Sequence, residues 1–434
     1  MSAFRCRRRA SSGWQQKPGS RADPLKISVI GGGWAGIAAA VEATAAGADV
    51  TLIEAGRVLG GRARSVSIDG RTLDNGQHIL LGAYRDTLAL MRRVGADPHT
   101  LFDRRPLAIH DRSGFRMALP AWPAPLHLAW GLLTARPLSL REKLRTALWM
   151  DGIKRRGFRV DADCSVAEWL DAAGQTGQLR RHLWEPLSLA ALNTPAERAS
   201  AQLFANVLRD SLGSANASDT DLLLPRCDFG ELLPHPAGRW LGQHGARLRF
   251  GQRVRSLSPS DHGILVDGEA FDAAILATAP QHARRLWPEI GKDFAYEPIA
   301  TVYLEFGQKS ALPFPLLNLD GRVGQWVVDR GNGLLACVLS GQGIWSALDD
   351  SALVTALLDE LRDLLGSQTP RWHKVIREQR ATFSAIPGLH RPAAQTGHPR
   401  LLLAGDYTWA DYPATLEGAV RSGLRAARLA LSRG

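Results

Sequence analysis

The hydrophobic pattern at both ends of the chain predicts parallel β-strands joined by helices. Residues 26–30 form a short apolar run with β-branched side chains, which is typical of a buried strand. The alanine-rich stretch 37–46 favours a helix, and residues 49–53 predict a second strand that ends on Glu54. Residues 400–404 predict a further strand near the C-terminus. A strand–helix–strand unit predicts an α/β fold with a parallel sheet.

The middle of the chain changes from helical to alternating patterns. Helices are predicted over 166–173, 178–191 and 199–212. Short strands are predicted over 245–250, 252–257, 263–266 and 271–278. Alternating apolar residues then predict an antiparallel sheet from 301–306, 325–329 and 334–339, with residues 351–365 forming a helix on it.

Glycines at fixed spacing follow the first strand directly. Gly31, Gly33 and Gly36 stand at the spacing G-x-G-x-x-G, and Trp34 and Ala35 occupy the two places before the third glycine. Such glycines allow a tight turn, the approach of a pyrophosphate to the backbone, and close packing of helix on strand. The free N–H groups at the helix start would then bind phosphate.

The acid that ends the second predicted strand completes this pattern. Glu54 stands where it can accept hydrogen bonds from both hydroxyls of an adenosine ribose, and its charge disfavours a 2′-phosphate. Since a strand precedes the glycines and a helix follows them, dinucleotide binding is favoured over a simple glycine-rich turn.

Charge and composition exclude several classes of protein. The 434 residues carry a formal net charge of +11, and this excess lies in residues 1–25 (six basic, one acidic) and 136–159 (eight basic, two acidic). A nucleic-acid-binding domain would spread its positive charge over one face, and no nucleic-acid-binding motif is recognised, so no nucleic acid is expected. Residues 1–25 are poor in apolar residues, which predicts a disordered basic extension without a signal peptide.

The cysteines and apolar runs predict a cytoplasmic protein. Cys6, Cys164, Cys227 and Cys337 are scattered without a C-x-x-C pair, so we expect reduced thiols and no metal site. No run of about eighteen apolar residues is present, so no membrane-spanning helix is expected.

Residues 119–159 combine Trp and Leu with Lys and Arg. This composition is typical of a helix at a membrane interface, where anionic headgroups attract basic side chains. It also fits a helical cap over a substrate lobe with a solvated basic face. The sequence leaves both open, and with the first the protein would be peripheral on the inner face of the cytoplasmic membrane.

Two motifs near the glycine turn resemble those of a known superfamily. Gly60, Gly61 and Arg62 belong to a G-G-R-x-R stretch that resembles the flavin-dependent amine oxidase and carotenoid desaturase superfamily. The resemblance implies that the two glycines pass close to the flavin side of the cofactor and that Arg62 neutralises phosphate. Segments 73–84, 185–195 and 206–212 are similar to the hydroxysqualene dehydroxylase branch of that superfamily.

The same resemblance implies further cofactor contacts. Val254 would hold an adenine through its backbone. Gly405 and Asp406 resemble the second flavin motif, in which the aspartate meets the ribityl or pyrophosphate portion. The helix beginning near Thr415 and Leu416 would point its N–H groups at the flavin ring. The expected cofactor is therefore FAD.

The expected fold is a Rossmann-type FAD-binding domain, discontiguous in sequence, with a second α+β substrate domain. After the basic extension 1–25, the FAD-binding domain is assigned residues 26–105, 225–296 and 379–434, and the substrate domain residues 106–224 and 297–378.

By resemblance, the reaction is the reductive removal of the allylic hydroxyl group of hydroxysqualene, a squalene-type isoprenoid, to give squalene for hopanoid biosynthesis. His78 and Asp74 are the candidate proton donors, and simple hydrogen bonding within their turn is the alternative for both. Glu185 and Asp210 are weaker candidates. Contact with upstream enzymes of the squalene pathway is also compatible with the resemblance.

Three other functions remain open from the sequence. A carotenoid desaturase or isomerase would share the fold. An amine oxidase would need aromatic residues beside the flavin, which Tyr407, Trp409 and Tyr412 can supply. A non-catalytic prenyl-lipid carrier could use the same scaffold.

Overall fold

The computed structural model describes residues 23–291, 293–307, 312–320 and 322–432. Most of the predicted basic extension, residues 1–22 with Cys6, therefore lies outside the described residues. The strands of the described part are β1 (Lys26–Ile30), β2 (Asp49–Glu54), β3 (Ser65–Ile68), β4 (Arg71–Asp74), β5 (Leu80–Leu81), β6 (Phe102–Arg105), β7 (Ala108–His110), β8 (Arg116–Ala118), β9 (Leu222–Pro225), β10 (Arg247–Phe250), β11 (Leu257–Pro259), β12 (Ile264–Val266), β13 (Glu269–Phe271), β14 (Ala273–Leu276), β15 (Tyr296–Glu305), β16 (Leu316–Asn318), β17 (Trp326–Asp329), β18 (Leu334–Ser340), β19 (Trp372–Phe383) and β20 (Leu401–Leu403).

The helices lie between these strands. They are α1 (Trp34–Ala45), α2 (Arg85–Arg93), α3 (Pro98–Leu101), α4 (Leu126–Thr134), α5 (Leu140–Arg155), α6 (Val166–Ala172), α7 (Glu185–Leu192), α8 (Ala201–Asp210), α9 (Phe229–Leu232), α10 (Pro234–Gln243), α11 (Pro280–Leu286), α12 (Asp350–Leu365) and α13 (Leu416–Leu431). A π-helical turn, Arg180–Trp184, runs directly into α7.

The sheet that carries the glycine motif is parallel and takes its strands from distant parts of the chain. Its order is β10-β2-β1-β14-β20, and all of its strand pairs run parallel. β1, β14 and β20 are almost wholly buried, because helices such as α1 and α13 cover the sheet. The Rossmann-type domain, discontiguous in sequence, is confirmed.

The second sheet is antiparallel, as predicted. Its order is β16-β17-β18-β15-β19, and α12 packs on it through buried leucines. The helices α4 to α8, the π-helical turn and the β7–β8 hairpin form a separate hydrophobic cluster in the substrate lobe. The α/β class with a second α+β domain is thus confirmed, whereas the individual domain boundaries stay predictions.

One predicted strand, 252–257, is wrong, because only Leu257 of these residues lies in a strand. The backbone N–H of Gln252 donates to the carbonyl of Glu54 (3.1 Å), and those of Arg255 and Ser256 donate to the Asp267 carboxylate (2.9 and 2.8 Å). These hydrogen bonds replace a strand ladder. The sequence pattern of apolar and polar residues does not distinguish the two arrangements.

Candidate functional site

The glycine turn after β1 is a place where side chains cannot fit. Gly31 has φ +106°, and a Cβ atom there would lie 2.7 Å from the Ala277 carbonyl oxygen. A Cβ atom on Gly36 would lie 1.9 Å from the carbonyl oxygen of Gly31. Gly33 precedes α1, which begins with Trp34 and Ala35 and so exposes its first amide groups at this turn. The close packing that the motif predicts is present.

The second pair of glycines lies directly on the first turn. The Gly60 N–H donates to the Gly32 carbonyl (2.8 Å), and a Cβ atom on Gly61 would lie 3.0 Å from the Gly33 Cα atom. The Trp34 indole N–H donates to the Ala63 carbonyl (2.9 Å). The G-G-R-x-R stretch and the first glycine motif therefore form one continuous wall.

Glu54 ends β2 beside this wall. Its carboxylate accepts hydrogen bonds from the N–H groups of Gly32 and Gly56, both at 2.6 Å. It thus also stabilises the glycine turn, which sequence reasoning did not anticipate. Its binding of a ribose stays a prediction. So does the adenine contact of Val254, whose buried side chain packs with Ile53 in a cluster between the sheet and β11–β13.

The second motif meets the first through an ion pair. Asp406 follows β20, is buried, and accepts a hydrogen bond from Arg62 Nη2 (2.6 Å) across 344 residues of sequence. The Asp406 carboxylate raises the pKa of Arg62. Gly405 has φ +156°, and its N–H donates to Ser422 Oγ in α13 (2.8 Å). The structure therefore brings Gly60, Gly61, Arg62, Gly405 and Asp406 to one site.

The start of α13 also lies at this site. Thr415 caps the helix, since its hydroxyl accepts a hydrogen bond from the Gly418 N–H (3.1 Å), and Leu416 is the first helical residue. The Thr278 hydroxyl, just beyond β14 and beside Gly31, is buried without a hydrogen-bond partner among the described residues. Two helix N-termini, a glycine cradle and this free hydroxyl suit a phosphate-containing dinucleotide such as FAD.

His78 lies in the loop after β4 and is half-buried. Its Nδ1 atom is 3.0 Å from the Gly76 carbonyl oxygen, which can only accept, so Nδ1 carries the hydrogen and Nε2 is the other ring nitrogen. Burial lowers the pKa of His78, and the positive charge of Arg62 lowers it further. The ring centre lies 4.8 Å from that of Phe229. Burial and the nearby Arg62 therefore both disfavour the charged imidazolium form.

Asp74 is buried at the end of β4. Its carboxylate accepts from the Phe229 N–H (2.7 Å) and pairs with Arg330 Nη2 (3.3 Å). Burial raises its pKa to about 6, and these two partners only partly oppose that effect. Asp74 therefore ties β4 to α9 and to the β17–β18 turn, which is the structural role considered as the alternative to catalysis.

The weaker acid candidates are engaged in other contacts. Glu185 pairs with Arg180 Nε (2.6 Å) at the end of the π-helical turn. Asp210 accepts hydrogen bonds from Arg209 Nε (2.6 Å) and from the Tyr412 hydroxyl. Burial alone would raise the pKa of Asp210, but Arg209, Tyr412 and Arg421 together outweigh burial and lower the pKa below its usual value.

Two aromatic residues that the amine oxidase alternative invoked have their hydroxyl groups engaged. Tyr407 is buried and donates to the Thr278 carbonyl (3.3 Å), and Tyr412 donates to Asp210. Burial raises the pKa of both phenols. These hydrogen bonds fix the two rings within the wall of the site.

Glu417 was missed by sequence reasoning. It is fully buried in α13 and accepts hydrogen bonds from the Asp86 N–H (3.1 Å), the Thr87 N–H (2.9 Å), the Thr87 hydroxyl (2.7 Å) and Arg421 Nε (2.9 Å). Burial raises the pKa of Glu417. The i,i+4 spacing to Arg421 was the available signal, whereas the contact with α2 spans about 330 residues.

One cluster of potential metal ligands lies elsewhere in the described residues. Asp111, His182 and Asp320 bring ligand atoms within 4.8 Å of one another. His182 Nδ1 contacts an Asp111 oxygen, and Arg181 pairs with Asp320 (3.0 Å). The acids thus already have cationic or hydrogen-bonding partners, and the expectation of no metal stays a prediction.

The three described cysteines, Cys164, Cys227 and Cys337, are free thiols. Burial raises the pKa of Cys227 to about 11 and that of Cys337 to about 12, so both are protonated at neutral pH.

The chain is similar to several known proteins along most of its length. The profile of the flavin containing amine oxidoreductase family matches residues 34–431. The chain is 30% identical to the hydroxysqualene dehydroxylase of Rhodopseudomonas palustris, over 94% of this chain and 99% of that protein. It is 26% identical to a probable zeta-carotene desaturase of Synechococcus elongatus, over 94% and 98% of the two chains. A redesigned putrescine oxidase shares the fold, with a TM-score of 0.71 and 19% identity over 95% of this chain and all of that one.

Proposed function

Since the chain belongs to the flavin-containing amine oxidoreductase family, we propose that it removes the allylic hydroxyl group of hydroxysqualene reductively and yields squalene for hopanoid biosynthesis. The chain is an oxidoreductase and its cofactor is FAD. The observation that carries the proposed substrate is the similarity to hydroxysqualene dehydroxylases along almost the whole of both chains. The Arg62–Asp406 pair, which joins the two halves of the cofactor site, supports the use of FAD.

The reaction breaks one C–O bond and forms one C–H bond, with water leaving. Reduced FAD, when bound, supplies the hydride. The protein must supply one proton to the departing hydroxyl group, because hydroxide is a poor leaving group. The pocket must also exclude water and bury the hydrocarbon chain, at about 0.8 kcal/mol per CH₂ group.

His78 is the proposed proton donor. Its Nδ1–H is held by the Gly76 carbonyl, so Nε2 would carry the transferable proton in the imidazolium form. The imidazolium form becomes more populated as the pH falls, and because burial lowers the pKa of His78, it forms at lower pH than in an exposed histidine. We expect kcat/KM to rise with falling pH through a pKa below 6.5. Asp74 is the second candidate, since a pKa of about 6 leaves part of it protonated near neutral pH.

The test of the reaction is anaerobic incubation of the purified protein with reduced FAD and hydroxysqualene, followed by GC–MS of the extract. Squalene that forms only with both protein and reduced flavin supports the proposal. If folded, flavin-loaded protein forms none, the proposed substrate is wrong.

His78→Ala tests the proton donor. We expect this variant to retain FAD, seen in its absorption spectrum, and to lose turnover together with the acidic limb of the pH profile. The exposed His262, between β11 and β12, gives the matched control His262→Ala, which we expect to keep both. Unchanged turnover in His78→Ala would remove His78 from the mechanism.

A carotenoid desaturase is the second candidate, because the chain also resembles a probable zeta-carotene desaturase along its length. The same incubation with oxidised FAD and a phytoene-type polyene distinguishes the two functions. A non-catalytic carrier is not supported, because the family and the similar relatives are oxidoreductases.

None of the helices in the described ranges is long and apolar enough to cross a bilayer. A cytoplasmic protein with peripheral attachment to the inner face of the cytoplasmic membrane remains our proposal for location, as does contact with the enzymes that supply hydroxysqualene.

A further inference from the structure

Exposed large apolar side chains are concentrated in one part of the described chain. Ten large hydrophobic residues are exposed among all the described residues, and seven of them fall between residues 122 and 148. Their exposed fractions range from 44% to 77%. We call them the leucine–tryptophan face: Trp122, Leu126, Trp130, Leu133, Leu140, Leu144 and Leu148. A concentration of this kind is uncommon on a protein surface that meets only water.

Six of these seven residues lie on two helices, three on α4 and three on α5, whereas Trp122 precedes α4. Leu140, Leu144 and Leu148 recur every fourth residue along α5 and so share one side of that helix. α4 contains no charged residue and is apolar along most of its length, yet its buried residues are only His127 and Gly131. Amphipathic helices normally turn such stripes towards the protein core. Here the stripes face outwards.

Two tryptophan side chains belong to this face. The rings of Trp122 and Trp130 contact each other, with their centres 5.1 Å apart. Trp is enriched where a protein meets the boundary between lipid headgroups and acyl chains, because its ring is apolar and its N–H group is polar. The pair therefore indicates an interface with lipid.

Basic side chains accompany the leucines. Residues 136–159 carry eight basic and two acidic residues. Lys154, Arg155 and Arg156 are all exposed at the end of α5, and only Arg155 has an acidic partner here, Asp151 on the same helix. Two copies of such a face would repel each other, whereas an anionic bilayer would attract it.

We propose that the leucine–tryptophan face docks the protein on an anionic lipid bilayer, with the leucines of α4 and α5 inserted among the acyl chains and the basic residues against the headgroups. The protein would lie on the membrane without spanning it.

The lobe that carries this face also contacts the flavin site. Asn206 in α8 donates to the Asp411 carbonyl (3.0 Å), and Tyr412 donates to Asp210 at the end of α8. A hydrocarbon substrate dissolved in the bilayer would then lie against the lobe that borders the cofactor site. This delivery role rests on the proposed function, whereas the docking itself does not.

The test is flotation of the FAD-loaded full-length protein with vesicles of phosphatidylcholine alone, or of phosphatidylcholine mixed with phosphatidylglycerol. We expect the native protein to float with the mixed vesicles and to bind the neutral ones less tightly. The variant with Leu140→Ser, Leu144→Ser and Leu148→Ser should bind mixed vesicles at least about tenfold more weakly, because each inserted leucine loses apolar contact.

Two further variants make the test specific. Val58→Ser, Phe250→Ser and Ile344→Ser alter three exposed apolar residues outside the face and should leave vesicle binding unchanged. Lys154→Gln with Arg156→Gln should reduce the preference for anionic vesicles, by about fivefold per charge removed.

Two results would overturn the proposal. One is a native protein that fails to float with anionic vesicles. The other is a leucine variant that floats as well as the native protein. If size-exclusion chromatography instead shows that the native protein is a dimer which the leucine variant dissociates, and neither floats, the face is an interface between two copies. These readouts need no turnover, so they stay separate from failure of the proposed reaction.

Discussion

Gly423 in α13 packs directly against α1, the other helix of the FAD site. A Cβ atom there would lie 2.0 Å from the Ala35 carbonyl oxygen and 3.0 Å from the Ala38 Cβ atom, both in α1. Ala35 belongs to the first turn of α1, at the glycine cradle. Gly423→Ala therefore forces apart the helices that join the two flavin motifs.

Two opposing effects determine how much Gly423→Ala changes the free energy of unfolding. Replacing Gly by Ala inside a helix stabilises it by about 1 kcal/mol. Overpacking costs about 1–3 kcal/mol, and we take the upper end because the contact is with backbone that cannot rotate away. The net result is a loss of about 2 kcal/mol in the free energy of unfolding. FAD affinity should also fall, because the start of α1 moves.

Gly242 in α10 supplies the matched control. It is exposed, and a Cβ atom there would meet nothing within 4 Å. Gly242→Ala should stabilise the protein by about 0.5–1 kcal/mol, the opposite sign for the same substitution.

The assay is urea unfolding of both variants followed by circular dichroism, with FAD affinity measured by flavin fluorescence. If Gly423→Ala is as stable as the native protein or more so, α1 and α13 do not pack as described, and the reasoning fails.

Two further substitutions test buried carboxylates. The pKa of Asp74 is about 6 in the folded protein against 3.8 as the unperturbed value, so its contribution to stability is present below about pH 4 and is lost as the pH rises through about 6. Urea unfolding at a series of pH values measures this effect. As the pH rises through that range, the free energy of unfolding of the native protein should fall by about 3 kcal/mol relative to that of Asp74→Asn. If the two proteins show the same pH dependence, the assigned pKa shift is wrong. Glu417→Gln should destabilise the protein by about 2–3 kcal/mol in the same assay, because an amide NH₂ group then meets backbone donors of α2. Glu269, which forms a half-exposed ion pair with Arg249, supplies the control: Glu269→Gln should lower the free energy of unfolding by less than about 1 kcal/mol. If the two substitutions lower it equally, Glu417 is not buried as described.

Local rules explain why the cofactor motifs could be predicted from the sequence. Backbone conformation and neighbours a few residues away determine three features: the glycine spacing, the strands β1 and β2 on either side of α1, and the helix cap at Thr415. The same holds for the alternating strands of the antiparallel sheet, which the structure confirms. The family follows from these motifs because they occur together.

Partners that the local sequence pattern does not reveal decided the rest. The Asp267 carboxylate, not a strand ladder, binds the backbone at Arg255 and Ser256. Asp74 is held by Phe229 and Arg330, and Glu417 by α2, and none of these contacts has a pattern in the sequence.

The leucines of α5 illustrate the difference between what helical periodicity predicts and what tertiary packing decides. A leucine at every fourth position establishes an apolar stripe on a helix, because the α-helical repeat places these side chains on one side. The repeat does not say whether that side meets the core or the solvent. Only the packing of α5 through Thr146 and Ile153 turns the stripe outwards, because the opposite side of the helix contacts the substrate lobe. Helical periodicity is a local property, whereas burial depends on every element that surrounds the helix.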